Sequence, residues 1–423
     1  MKSNQFGLPV SKFAVVCGIF PLTLTIVLGL FWFDQKSPVE PERLGNPLSK
    51  DGLTDRALNI WDLQAFDGKI YLGGGSTVTN SGPMNIWAYD PESKDFVKEH
   101  QVPEEAIEHY RVLNNRLYIP AADPVEGDKH KFYRREGDRW RRYSHAEITL
   151  AHVRDLIATE EDEILMVGNN RQYKSLDSSG TALATFEPEG IRFQPAGIEN
   201  VVNNGNIVPD FNWFFSVFRY QNRIFATNSI LRDADNYPGA IAEYDPKSRQ
   251  FVLDFNLRND EFIPQNLLGE GSKQGLGVIY RPWKPVEFQD YLVYPVRSYS
   301  IGVGNYQKAY MNSIGFFYKS GMGQSPQELE LPQGQGEDVL VIDGELYVLA
   351  NRKNSDARFI NYVYRTERLG DKVKWQQVVE FESWNKARSF EHLDGTFYFG
   401  LGHDYGEAAN DAGDILSYTP RAK

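Results

Sequence analysis

Side chains with chemistry to offer stand at similar places along this chain, each shortly ahead of an apolar strand run. They are Asp62, His109, His152 with Arg154 and Asp155, Ser216, Lys284, Asp338 and Arg388, while Arg297 and His403 sit in loops of the same units. Arginine offers a planar fork matched to carboxylate or phosphate, and histidine takes up or gives a proton near neutral pH. Brought together they would bind an anion, or hold one while a base removes a proton from it. His109 or His152 would be that base, with Arg154 and Arg388 as carboxylate clamps. The same residues also suit the lining of a water-filled channel that does no chemistry. Asp62, Asp155 and Asp338 occupy neighbouring positions and would neutralise part of the positive charge.

Other chemistries leave no trace. The chain has no G-x-S-x-G, H-E-x-x-H or P-loop pattern. His403-Asp404 with Glu407, Asp411 and Asp414 is rich in acids but lacks the alternate spacing of a calcium loop. Gly269, Gly271, Gly275 and Gly277 lack a strand-to-helix context, so residues 257–283 read as a lid rather than a dinucleotide loop. Neither a metal nor a cofactor is expected.

The elements that must position these residues repeat. Residues 67–97 begin with the turn Asp67-Gly68 and the apolar run Ile70-Tyr71-Leu72, which ends in Gly73-Gly74-Gly75. A polar loop, a strand to Tyr89, a turn at Asp90-Pro91 and an outer strand through Phe96 complete the unit. The turn and run recur from Asn114, Glu161, Gln221, Gln289, Asp343 and Asp394. A period near ~50 residues with several strands per unit is that of propeller blades. Consecutive rather than alternate apolar positions mean strands buried on both faces, as in sheets packed between neighbouring sheets. Seven signatures predict an all-β, seven-bladed β-propeller. The tight turns then share one face, and the inner-strand starts share the other with the long loops, where binding usually resides.

The first unit resembles a kelch repeat, with its apolar strand, the doublet Gly73-Gly74, Tyr89 before a turn, and Phe96 after it. The hairpin of residues 240–251 repeats the outer part of that unit; the other units lack the doublet. What the resemblance implies is the propeller fold. Two functions fit that scaffold: a ligand- or protein-binding module, or a funnel-site lyase or hydrolase acting on an anionic glycan.

The rest of the chain sets the surroundings. Tyr, Phe and Trp make up 13% of 423 residues, and the net charge of -12 argues against nucleic-acid binding. Residues 13–33 form an uncharged apolar run long enough to span a bilayer. It ends in Leu30-Phe31-Trp32-Phe33-Asp34 without a small-residue cleavage site, so it reads as an uncleaved transmembrane helix. Residues 1–12 would be a cytoplasmic tail, 34–50 a Pro-containing linker and 51–423 the propeller. The body would then lie outside the cytoplasm, facing a bacterial periplasm, with an unknown protein or an anionic carbohydrate as its partner. The single cysteine, Cys17, falls in the apolar run, which leaves the body without disulfides. The last unit is one strand short, and residues 50–58 are the segment expected to close it.

The membrane reading makes a definite forecast. A reporter fused after Lys423 should be active only outside the cytoplasm, with residues 13–33 retained in the mature chain. A new N-terminus near Gln35, found by Edman sequencing, would instead mark a cleaved signal peptide.

Overall fold

The computed structural model describes residues 38–54, 57–76, 81–122, 124–125, 131–144, 150–170, 178–187, 190–195, 202–203, 206–207, 214–228, 230–231, 240–258, 262, 277–301, 311–370, 372–403 and 410–420. Among the described residues seven antiparallel sheets of four or more strands follow one another along the chain, with a two-stranded ladder, Val202–Asn203 with Asn206–Ile207, ahead of the fourth. The first comprises Ile60–Phe66, Lys69–Gly74, Met84–Asp90 and Asp95–Val102, paired in chain order. The inner strands of the next six are Arg111–Leu113, Leu150–Ala158, Phe214–Tyr220, the interrupted pair Gly277–Pro282 and Val286–Phe288, Gln335–Ile342, and Lys386–Leu393. This is the seven-bladed propeller that the repeat predicts. The expected membrane helix, residues 13–33, lies outside the described residues. Among the described residues no helix is long and apolar enough to cross a membrane. Most of the expected lid, residues 257–283, is likewise outside them.

The turn chemistry explains why each hairpin closes where it does. Asp67-Gly68, Asn114-Asn115, Gln221-Asn222, Asp343-Gly344 and Asp394-Gly395 have positive φ at both residues, between 49° and 80°. That is the type I′ geometry, whose twist matches that of the flanking strands. The runs that follow are buried at successive positions: Ile70, Tyr71 and Leu72 are each at most 1% exposed. The Gly73-Gly74 doublet serves close approach of neighbouring chain. A Cβ on Gly73 would stand 2.7 Å from the Ile107 carbonyl oxygen, and one on Gly74 would stand 2.7 Å from Leu48.

Closure of the ring corrects the expectation in one respect. The seventh sheet is completed by Glu42–Gly45, which pairs antiparallel with Ile415–Tyr418. The closing strand therefore comes from the stretch expected to be a linker, not from residues 50–58. Arg43 forks onto Asp414, with Nε 2.5 Å and Nη2 2.9 Å from its carboxylate oxygens. Upstream, the Val39 amide donates to the Glu380 carbonyl of blade six (2.8 Å). Downstream, Asn46 caps the short helix Pro47–Lys50, which sets Leu48 into the core of blade one. Asp51 then accepts from Asn85 and Trp87 of that blade, at 2.6 and 2.7 Å. One segment thus straps blades six, seven and one together.

A body that begins at Pro47, lacking the closing strand, should expose the edge of Ile415–Tyr418, melt several degrees lower and aggregate on warming. Calorimetry and light scattering against a body beginning at Pro38 would check this. Equal melting and a clean monomer would contradict closure by this strand.

Candidate functional site

Two rings of side chains surround the propeller axis at the starts of the inner strands. Counted back from the hairpin turn, the fifth residue of each blade is Asp62, His109, Ser216, Lys284, Asp338 or Ser389; in blade three, whose turn comes one residue later, it is Asp155. The residue just before each is Trp61, Glu108, Arg154, Phe215, Trp283, Glu337 or Arg388. In five blades this preceding residue is skipped by the ladder: the register shifts between Ile60 and Asp62, Val153 and Asp155, Phe214 and Ser216, Gly336 and Asp338, and Ala387 and Ser389. Such a bulge re-aims a side chain out of the alternation of its strand. Blade five reaches the same end by breaking its inner strand at Trp283, with Lys284 at φ 41°.

The first ring ties blade to blade. Asp62 Oδ2 accepts from the Tyr110 amide (2.7 Å), Asp155 Oδ2 from Val217 (2.9 Å) and Asp338 Oδ2 from Phe390 (3.2 Å), each in the next blade. Ser216 donates to the Pro282 carbonyl and Ser389 to that of Ile60, again one blade on. His109 donates from Nε2 to Asp155 (3.0 Å), which also receives the fork of Arg111 at 2.8 and 2.7 Å. Lys284 does something different. From blade five it reaches Asp62 of blade one at 2.5 Å, crossing the axis. Arg281 of blade five likewise reaches Glu108 of blade two at 2.9 Å. The centre is therefore filled at this level by two ion pairs rather than open as a channel.

The second ring builds a cationic, aromatic wall on this floor. Arg154 and Arg281 lie over the Phe215 ring at 5.5 and 5.2 Å, and Arg281 and Arg297 lie over Trp283 at 4.5 and 4.1 Å. Arg388 lies over Trp61 at 4.3 Å and donates to the His403 carbonyl. Arg297 donates to the Arg388 carbonyl (3.4 Å), which joins the two groups. The four guanidiniums are each at most 5% exposed. Glu108 bonds two of them, Arg154 at 3.4 Å and Arg281 at 2.9 Å, and Glu337 pairs with Lys386 at 2.6 Å. His109 stands edge-on to Trp283, 5.6 Å between ring centres, and its buried Nδ1 has no hydrogen-bond partner.

Electrostatics follow the pairing. Burial pushes the Glu108 carboxyl up, but Arg281 and Arg154 outweigh it and hold it at about 2. Burial likewise opposes ionisation of Asp155, and Arg111 and His109 reverse this, holding it well below the usual carboxylate range. His109 is shifted down by burial against the pull of Asp155, so its ring is neutral at pH 7. Asp338 and Glu391 have too little compensation. Burial raises Asp338 to about 6 despite Lys284, with Asp62 adding to the rise, and raises Glu391 to about 7 despite the Ala65 and His392 amides it accepts from.

Ten of the eleven residues singled out in the sequence thus meet around the axis: Asp62, His109, Arg154, Asp155, Ser216, Lys284, Arg297, Asp338, Arg388 and His403. Of these, Asp62, Asp155, Ser216, Lys284 and Asp338 belong to the floor, where they serve one another and the backbone. His152 stands apart, half-buried, its Nδ1 donating to the Ala122 carbonyl (2.8 Å). Glu108, Arg281, Phe215, Trp283 and Trp61 escaped notice. The signal for four of them was the position just ahead of Asp62, His109, Ser216 and Lys284; Arg281 offered none. In the acid-rich loop, Asp414 holds Arg43, and Asp411 accepts from the Trp384 and Asn385 amides. No group of three or more metal-ligating side chains occurs among the described residues.

No protein-family model matches the chain, and no curated protein matches it. The kelch likeness of the first unit therefore stays local. Among solved structures, an ulvan lyase of polysaccharide lyase family PL25 bound to -[GlcA(1-4)Rha3S]- is 10% identical, covers 90% of this chain and 94% of its own, and has a TM-score of 0.46. YCF48 bound to D1 peptide is 11% identical over 87% of this chain and 95% of its own, TM-score 0.45. A chain of the mitotic checkpoint complex is 9% identical over 98% of both, TM-score 0.44. At such identities the likeness concerns the backbone and does not reach the ring residues.

The raised carboxyls give a pH test. Between about pH 4 and 7 the folded state keeps protons on Asp338 and Glu391 that the unfolded chain has released, so their contribution to stability falls as pH rises, by up to about 1.4 kcal/mol per pH unit each. Glu108 and Asp155 act oppositely, and their contribution is lost as pH falls below 4. Asp338→Asn should therefore lose less stability than wild type between pH 4 and 7 in denaturant melts. Parallel curves would contradict a protonated, buried Asp338.

Proposed function

We propose that this propeller is a binding module for an anionic ligand, taken up at the inner-strand-start end of the axis. The observation that carries the reading is the set of four guanidiniums, Arg154, Arg281, Arg297 and Arg388, drawn from blades three, five and seven and laid against Phe215, Trp283 and Trp61. Stacking on these rings holds each guanidinium plane in place. Glu108 bonds two of the four, Arg154 and Arg281. A carboxylate, sulfate or phosphate entering here would meet donors in a low-dielectric setting, where charge-assisted hydrogen bonds are strongest. The overall charge of -12 does not oppose this, because a cleft of one sign focuses its own field.

An enzymatic reading, a lyase or hydrolase acting on an anionic glycan, draws on His109. Asp155 fixes its tautomer through Nε2, leaving Nδ1 as a neutral acceptor beside Trp283. As to place, the apolar run of residues 13–33 would tether the module to a membrane with the propeller outside the cytoplasm.

Titration calorimetry with uronic-acid oligosaccharides and phosphorylated glycans tests the reading. Wild type should bind, and Arg154→Ala with Arg388→Ala should weaken binding by about 100-fold or more, from ~1.5–3 kcal/mol per charge-assisted bond. Arg388→Lys, which keeps the charge and loses the fork, should fall between. Equal binding by all, or none by wild type, would overturn it. In the enzymatic case His109→Ala would abolish turnover and leave binding intact.

A further inference from the structure

At the end of the propeller that carries the hairpin turns, blades five and six depart from the repeat. Between their third and fourth strands, blades one to four turn within two to four residues: Asp90 to Asp95, Glu136 to Arg139, Glu187 to Gly190 and Asp245 to Gln250. Blade five takes seven, between Lys319 and Gln327, and blade six takes nine, between Thr366 and Gln376. Neighbouring antiparallel strands need about two to five residues to join, and extra loop on a rigid scaffold is where binding usually resides. The turn of blade six is held in place. Thr366 Oγ1 donates to the Arg368 carbonyl (3.0 Å) and accepts from its amide (3.3 Å). Gln289 of blade five donates from Nε2 to the Glu367 carbonyl (2.8 Å). Leu369 is buried with Phe288 and Val293 of blade five, Val373 and Trp375 pack on the same cluster, and the Trp375 indole donates to the Glu330 carbonyl (2.9 Å).

This turn walls a cavity of about 720 Å³, lined also by Tyr291, Glu345 and Arg365. Glu345 and Arg365 neutralise each other: the guanidinium is 2.9 Å from Glu345 Oε2 and donates twice to Gln376 Oε1, at 2.9 and 2.7 Å. Arg368, Lys372 and Lys374 line the same cavity and are exposed. Among the described residues these three form no ion pair. The turn holds them against two acids of its own, Glu367 and Asp371.

We propose that this cavity is a second binding site, for a phosphate monoester, at the opposite end of the propeller from the buried arginines and independent of them. Ammonium and guanidinium groups only donate, so their ligand must bring acceptors and negative charge. A phosphate monoester brings three oxygens and a charge of about -1.5 to -2 at pH 7. A carboxylate or sulfate ester brings a single charge to the same three cations. Lysine takes phosphate as a point charge, without the bidentate geometry of a fork. The volume is that of a small-molecule site, which leaves room beside Tyr291 for the group that carries the phosphate. A free organic phosphate and a phospholipid headgroup share this chemistry.

Titration calorimetry on the full chain tests the site with glucose 6-phosphate, glucose 6-sulfate, glycerol 3-phosphate and the water-soluble lipid dihexanoyl phosphatidic acid. Wild type should bind glucose 6-phosphate at least tenfold more tightly than glucose 6-sulfate. Lys372→Ala with Lys374→Ala should weaken that binding about tenfold, and adding Arg368→Ala should bring the loss to about 50-fold. Lys372→Arg with Lys374→Arg should keep it. The substituted side chains are exposed, so all variants should melt with wild type. In hydrogen exchange, glucose 6-phosphate should slow the amides of the turn in wild type and not in the triple variant. Dihexanoyl phosphatidic acid binding tenfold above glycerol 3-phosphate would identify a lipid headgroup as the source, and equal binding a free ester. No phosphate binding by wild type, equal binding of phosphate and sulfate, or full affinity and protection in the triple variant would overturn the site.

Discussion

A radial array of sheets leaves its innermost strands side by side without pairing them. Among the described residues one inner edge, that of Gly277–Pro282, takes a ladder from outside its blade, with Ile230–Leu231 from blade four; the other inner strands have no such ladder, yet they are buried. Backbone groups there would be orphaned away from water, at a cost comparable to a lost hydrogen bond each. Side chains supply the missing partners. Asp62, Asp155 and Asp338 reach the amides of the next blade, Ser216 and Ser389 reach carbonyls, and Glu391 accepts from the Ala65 amide at 3.0 Å. Everything else near the axis is arranged around these ties.

Burying carboxylates near the axis requires countercharge, and this determines what the centre can be. Lys284 and Arg281 cross to Asp62 and Glu108, which fills the space a channel would need. Arg111 does the same service for Asp155. Asp338 and Glu391 are incompletely compensated and hold their protons to higher pH than an exposed acid would. With the floor closed, the residue preceding each tie is set by its bulge one step nearer the loop-bearing end. There guanidiniums stack on aromatic rings. The structural ties and the stacked arginines and aromatics are thus carried on adjacent residues of the same strands, and a change in one should disturb the other.

Much of this was legible in the sequence because the repeat is strong. Turn pairs such as Asp67-Gly68 and Asp394-Gly395, followed by apolar runs, specify hairpins locally, and their number is the number of blades. Ten of the eleven residues picked do meet, eight of them because a repeat carries equivalent positions to equivalent points about an axis. The closing strand was missed because Glu42–Gly45 has little strand character of its own; its pairing with Ile415–Tyr418 and the Arg43–Asp414 fork define it. Arg281 was missed because it departs from the repeat, entering where blade five breaks its inner strand. His152 misled because it lies two residues ahead of the bulged Arg154 and stays in the ladder opposite Asn169, and its side chain turns to the Ala122 carbonyl instead of the axis.

The dependence of the ring on side-chain ties is open to hydrogen exchange measured amide by amide. The amides of Tyr110, Val217, Phe390 and Ala65 are bound to buried carboxylates of other blades. They should exchange as slowly as the best-protected strand amides, through global unfolding alone, and Asp62→Ala should release Tyr110 without releasing Val217. Exchange of these four amides at the rate of exposed loops in the wild-type protein would contradict the account.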